Sequence, residues 1–314
     1  MKPSHYGVWL AVCALALLFL LLGSGLDFAQ VIPRRLVRLG AMVMGGVCVA
    51  WSSIAFQTLT GNRILTPAIM GYEAVYLLLQ AVLVAVLGMS GLLVLGAHGN
   101  FGLSVLLMLA YSWALHRWLF GDGRRDLFLL LLVGLVLTMV IGTFTQFVQY
   151  QASPGEFSML LGFSQASFNR VQPQQLLYAG GLVAGLCLAG RKTLATLDVL
   201  ALGRDQAISL GVDYQRCVRL QLALIAGLVA VSTSLLGPVA FMGVFVANIA
   251  YALAGTFRHR VTLPLGCAIA VGLFLLAQLL VEHLFNYKTT VGLLVNLLCG
   301  AYFLALMLRT RGAA

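Results

Sequence analysis

The chain has 314 residues, 61% of them hydrophobic and 9% charged, with a mean hydropathy of +1.00. A soluble domain carries about 25% charge, so a water-soluble globule is excluded, as is intrinsic disorder. Nineteen Lys and Arg against nine Asp and Glu give a net charge of +10, but the basic residues lie between apolar runs rather than in one patch, which argues against nucleic acid as a partner.

A membrane span takes about 20 apolar residues. Ten candidates follow in order, roughly 7–25, 36–59, 72–89, 98–120, 127–150, 175–190, 215–236, 241–254, 262–284 and 291–309. The fold class is therefore an all-α polytopic membrane protein, one transmembrane domain over 1–314. The first stretch is read as a helix and not a cleaved leader, because Gly23-Ser24-Gly25 is not an Ala-x-Ala site. Breaks fall at Gly61-Asn-Arg63, Gly121-Asp-Gly-Arg-Arg125, Gln172-Pro173 and Gly237-Pro238. The 241–254 candidate is too short to cross straight, which predicts a broken or tilted helix lining a cavity or buried in protein.

Alternating the connections puts fourteen basic residues on one side and five (Arg34, Arg35, Arg38, Arg170, Lys288) on the other. The positive-inside rule then predicts both termini in the cytoplasm. The six cysteines show no paired or ligand-like spacing and read as packing. No metal site is expected.

An ion-coupled carrier needs an ionisable group near the bilayer centre, and none is expected here. The acids fall in connections or near helix ends; Glu73, in the first turn of a span, is explained by the helix dipole ahead of a pathway role. The spans carry neutral polar groups instead, among them Gln57, Gln146, Ser232 and Asn248, which suit a wide polar passage or ordinary interhelical hydrogen bonding. Gly185 to Thr193 comes within one inserted residue of a phosphate-binding loop, but Arg191 breaks the spacing and the segment ends a helix, the wrong dipole sign for phosphate. Glu282-His283 lacks the second His of a zinc protease. The chain is thus read as a conduit without catalytic residues and with no bound cofactor.

The most informative stretch is the hydrophilic connection at 191–214. Between Gly203 and Gly211, apolar Ala207, Ile208 and Leu210 stand beside Arg204, Asp205 and Gln206, the pattern of a short surface helix bounded by glycines. An apolar face in a cytoplasmic loop needs a cover, and a capped rigid element suits a partner that pushes.

Here the residues resemble a known family, the FecCD-like integral permeases of ABC importers for iron-siderophores, haem and cobalamin. Ala201-Leu202-Gly203-x-x-x-Ala207-x-x-Leu210-Gly211 resembles that family's coupling loop, Asn62-Arg-Ile-Leu-Thr66-Pro67-Ala-Ile-Met-Gly71 its motif before the third helix, Ile32-Pro33-Arg34 the start of its second helix, and Gly237-Pro-Val-Ala-Phe241-Met-Gly243 the loop before its eighth. The chain departs from the family pattern at Ala247-Asn248, where Pro-His is usual, and at Glu282, where a basic residue is common.

The resemblance implies a type II ABC importer fold in the bacterial cytoplasmic membrane. It implies a second permease chain, with a heterodimer favoured, two cytoplasmic ATPases holding ATP-Mg, and an extracytoplasmic siderophore-binding protein. Residues 202–207, Leu210 and Gly211 would meet the ATPase; Arg34, Arg35 and Lys288 the binding protein; Gln57, Thr66, Pro67, Gln146, Ser232 and Asn248 the passage. Phe56-Gln57-Thr58 leading to Asn62 resembles the branch for catecholate or mixed catecholate and carboxylate siderophores. The alternatives are an ion-coupled secondary transporter of a small polar solute and a membrane enzyme.

Overall fold

The structure is a computed structural model that describes residues 3–23, 25, 27–120, 127–239 and 241–311. The break expected at 121–125 lies outside the described residues. Those described form helices and no strand: α1 Pro3–Leu21, α2 Val31–Thr60, a 3₁₀ turn Pro67–Met70, α3 Tyr72–Phe120, α4 Leu127–Tyr150, α5 Pro154–Ser164, α6 Pro173–Arg191, α7 Leu194–Leu200, α8 Arg204–Ser209, α9 Tyr214–Leu236, α10 Met242–Ala254, α11 His259–Leu279 and α12 Val291–Arg311. A π turn, Leu280–Leu284, extends α11.

Each of the ten expected spans coincides with a helix or a helical arm, the first ending at Leu21. Five segments, Val31–Thr60, Val94–Trp118, Phe128–Tyr150, Tyr214–Leu236 and His259–Leu284, are long and apolar enough to cross a bilayer by themselves. Two spans are joined within α3, whose helical geometry fails at Gly88 (φ 63°) and Gly96 (φ 67°). Left-handed backbone is open to glycine at little cost, so the chain reverses there. The two arms are held together by Gln80 Nε2 donating to Asn100 Oδ1 at 3.0 Å and by Tyr72 Oη beside Ser112 Oγ at 3.2 Å.

The core is the bundle of α2, α9 and α11. In the apolar stretch of α9, 78% of residues are buried, against 17% in α4, so α9 is interior and α4 is bare on most of its surface. Glycine allows the close approach: a Cβ on Gly46 of α2 would lie 2.7 Å from the Val271 side chain of α11 and 3.0 Å from its backbone.

The connections at 61–71 and 237–241 do not stay on their own sides of the bundle. Spans alternate direction, so these two connections start from opposite membrane faces, yet Val239 N–H donates to Glu73 Oε1 at 3.1 Å and the Thr66 methyl lies 3.2 Å from where a Gly243 Cβ would stand. Both dip inward and meet inside. The depth is set by Gly134, seven residues or about 10 Å along α4, whose built Cβ lies 3.0 Å from Met70 Cα. This accounts for the shortness of α10, which begins at the meeting point instead of at a membrane face.

Candidate translocation path and coupling site

A cavity of about 620 Å³ lies between the 3₁₀ turn, α3, α4, α5 and the start of α10. Thr66, Glu73, Thr138, Thr145, Gln146 and Gln149 give it polar walls, while Leu135, Phe157, Leu160 and Phe241 make the rest apolar. Gln146 is exposed on α4 beside exposed Phe144 and Phe147. A bare amide facing hydrocarbon costs several kcal/mol, so the polar side of α4 is suited to a wet passage and its aromatic side to lipid or protein.

The residues expected in the passage separate. Thr66 and Gln146 line this cavity. Pro67 is buried as the first residue of the 3₁₀ turn, where its fixed φ suits the turn. With Ser232 and Thr66 it lines a neighbouring crevice of about 30 Å³ that also touches Glu73. Asn248 acts as a staple: its Nδ2 donates to Arg63 O at 3.1 Å and to Val244 O at 2.8 Å, tying α10 to the inward connection. Gln57 stands apart from this cavity. It is buried in helix packing, does not line the cavity, and neither of its amide atoms has a hydrogen-bond partner among the described residues.

Glu73 brings a correction. It does occupy the first turn of α3, but that turn lies inside the bundle, so an ionisable group does reach the bundle interior and a cavity wall. The sequence pattern alone cannot show this, because the displacement comes from the inward fold of the preceding connection.

Sequence reasoning also missed α5, which forms one wall of the cavity through Phe157, Leu160 and Leu161. Its signal was present in Ser153-Pro154-Gly155-Glu156: Pro at the first helical position and a capping box in which Glu156 Oε2 accepts from Ser153 N–H and Ser153 Oγ–H, both at 2.8 Å.

On the far side from α5, the 191–214 connection folds as two short helices. α8 runs between Gly203 (φ 100°) and Gly211 (φ 78°), as the glycine spacing predicts. Its end is a Schellman motif: Gly211 N–H donates to Ile208 O at 2.9 Å and Val212 N–H to Ala207 O at 3.1 Å. Asp213 then caps α9 by accepting from Arg216 N–H at 3.1 Å. The polar residues Arg204, Asp205 and Gln206 are exposed. Ala207 is fully buried against the bundle, whereas Leu202, Ile208 and Leu210 are 53%, 51% and 62% exposed. The apolar face is therefore split: Ala207 anchors the element, and the three larger side chains face outward.

A hydrogen-bonded chain joins this element to the bundle. Asp198 of α7 accepts from His259 N–H at 2.8 Å and pairs with His259 Nδ1 at 2.6 Å; His259 Nε2 meets Thr58 Oγ1 of α2 at 2.8 Å. At the opposite end, Arg34 and Lys288 are exposed, but Arg35 is not. It is 5% exposed, stacks over Phe19 at 5.5 Å, donates to Leu22 O at 2.6 Å and forms an ion pair with Glu282. Arg35 is thereby withdrawn from any docking surface, because a buried cation is held by its partner.

Residues 7–309 match the FecCD transport family. The chain is 34% identical over 298 residues to the petrobactin import system permease protein YclO of Bacillus subtilis, covering 95% of this chain and 94% of that protein. It is 33% identical to the petrobactin import system permease protein FatC of Bacillus anthracis, covering 99% and 91%. In fold it is similar to a solved metal-chelate type ABC transporter in an inward-facing conformation, with a TM-score of 0.83 at 20% identity, covering 97% of this chain and 98% of the other. Its architecture and its sequence agree, and the chain belongs to the FecCD transport family.

Proposed function

We propose that the chain is the permease subunit of an ABC importer that moves a ferric siderophore across the bacterial cytoplasmic membrane by alternating access. ATP-Mg is held and hydrolysed by a separate subunit. The observation that carries this reading is the division of the molecule into a polar-walled cavity at α4 and α5 and a capped, outward-facing apolar element at α8, each suited to one partner. A second permease chain, with a different sequence favoured, closes the cavity from the bare side of α4. An extracytoplasmic binding protein docks on the side of Arg34 and Lys288, and both termini face the cytoplasm. The petrobactin relatives support a catecholate or mixed catecholate cargo.

The test is reconstitution with the cognate ATPase, second permease and binding protein, loaded with ferric petrobactin. Uptake that needs ATP and ceases without the ATPase supports the reading. Uptake by the permease alone down an ion gradient overturns it. The second reading, an ion-coupled carrier, has Glu73 in its favour as an acid on the cavity wall. It predicts gradient-driven uptake that Glu73→Gln abolishes.

A further inference from the structure

A separate groove of about 530 Å³ opens on the α8 side of the bundle, between α2, α6, α7 and α11. Its walls are Val47 and Trp51 of α2, Leu194 of α7, and Leu263, Pro264 and Cys267 of α11; Arg191 and Arg260 also line it. Both arginines are exposed, and neither makes an ion pair or hydrogen bond among the described residues. No carboxylate among the described residues lies within ion-pair distance of either arginine; Asp198 Oδ1 is hydrogen-bonded instead by His259, which also lines the groove. Arg191 ends α6, where the helix dipole offsets its charge, but Arg260 lies in the first turn of α11, where the dipole opposes it.

We infer that this groove holds one anionic phospholipid of the leaflet on the α8 side, its phosphate between Arg191 and Arg260 and its upper acyl chains along Trp51, Pro264 and Cys267. Depth favours lipid over protein. From Arg260 to Cys267 is seven residues, so the groove runs about 10 Å from the basic rim along α11. Its apolar walls thus belong to membrane spans, beyond the reach of a subunit riding on α8. Basic pockets between spans on this side suit anionic headgroups. Gly190 helps shape the wall, since a Cβ there would lie 2.7 Å from the Trp51 ring. This inference needs the chain to be in a membrane but does not depend on its cargo.

The experiment is native mass spectrometry of the full chain, extracted in mild detergent, stripped of lipid and titrated with phosphatidylglycerol, phosphatidylcholine or inorganic phosphate. The wild-type chain should retain one phosphatidylglycerol in preference to phosphatidylcholine. Each near-surface cation contributes about a five-fold factor, so R191Q/R260Q should weaken retention about thirty-fold, while R191K/R260K keeps most of it. Equal retention of phosphatidylcholine, or unchanged phosphatidylglycerol retention by R191Q/R260Q, overturns the inference. So does displacement of the lipid by equimolar inorganic phosphate, which would mean a free-phosphate site. Loss of ATPase association by R191Q/R260Q with lipid retention intact would instead assign the groove to the protein partner. The comparison of the two lipids on the wild-type chain keeps the inference testable should the variant not fold.

Discussion

The proposed docking of the ATPase on α8 can be tested by the three outward apolar side chains on and beside that helix. Leu202, Ile208 and Leu210 are each about half exposed in the isolated chain, and fully burying such a side chain is worth about 1.5–3 kcal/mol. Covering the remaining half contributes about 1 kcal/mol each, so L202S/I208S/L210S should weaken association by about 3 kcal/mol, or more than a hundred-fold in Kd. The loss of rotational and translational freedom on binding is common to both proteins and cancels in the comparison. The fold should be spared, because exposed substitutions shift stability by about 0.5 kcal/mol or less. Ala207→Leu provides the contrast: Ala207 is fully buried, so the added bulk must displace α8 from the bundle at a cost of about 1–3 kcal/mol. Affinity for the purified ATPase, measured by biolayer interferometry in nanodiscs alongside thermal unfolding, should fall for both variants, with the unfolding temperature lowered only for Ala207→Leu. A triple variant within three-fold of the wild-type Kd would refute the assignment of α8 as the contact.

Four further outcomes follow from the geometry. Arg35→Met leaves Glu282 as an uncompensated, largely buried charge and should destabilise the chain by about 3–5 kcal/mol, whereas R35M/E282M should recover most of that loss in thermal unfolding; Arg34→Glu should instead leave stability unchanged and weaken binding-protein docking in a salt-dependent manner. Hydrogen bonds from Ser153 hold the Glu156 carboxyl below its ordinary value of 4.5, so the α5 cap is complete above that value and is lost as pH falls through the lower folded value; a spin label near Pro154 should gain mobility in acid, and Glu156→Gln should remove the pH dependence. Thr58→Val strips the partner from His259 Nε2 and leaves a buried polar nitrogen unsatisfied, a cost of about 1–3 kcal/mol; it should retain ATPase binding but lower the cargo moved per ATP hydrolysed, and an unchanged ratio would exclude Thr58 from coupling.

What the sequence made visible was what the membrane and the glycines enforce. Ten apolar runs must become helices because hydrocarbon offers backbone groups no other partner, and Gly203 and Gly211 delimit α8 because left-handed backbone is needed at each end. What it concealed was tertiary. Arg35 reads as a surface cation until Glu282, 247 residues away, is seen beside it. Glu73 reads as a helix-end acid until the 61–71 connection is seen to carry that end inward. Gln57 and Gln146 are the same residue type in apolar spans, and only packing distinguishes the sealed amide from the cavity wall. α5 is a different case, since its capping box was legible and only its short length, 11 residues, hid it among the connections.

The contacts around His259 show how motion at α8 can reach the cavity without passing through a flexible segment. Ala207 fixes α8 to the bundle, α7 precedes it by a few residues, and Asp198 of α7 holds both the backbone and the ring of His259 at the start of α11. The other ring nitrogen meets Thr58, two residues before the end of α2, and Thr58 lies 3.5 Å from Tyr251 Oη of α10. Arg63 lies over the Tyr251 ring at 5.3 Å and the Phe257 ring at 5.1 Å, binding the inward connection to the same point. A push on α8 is therefore delivered to the ends of α2, α10 and α11 together. Close-packed helices move as rigid bodies rather than compressing. Ser53 of α2 already touches the position of a Gly243 Cβ, so displacement of α2 must shift the start of α10 and, with it, Phe241 on the cavity wall.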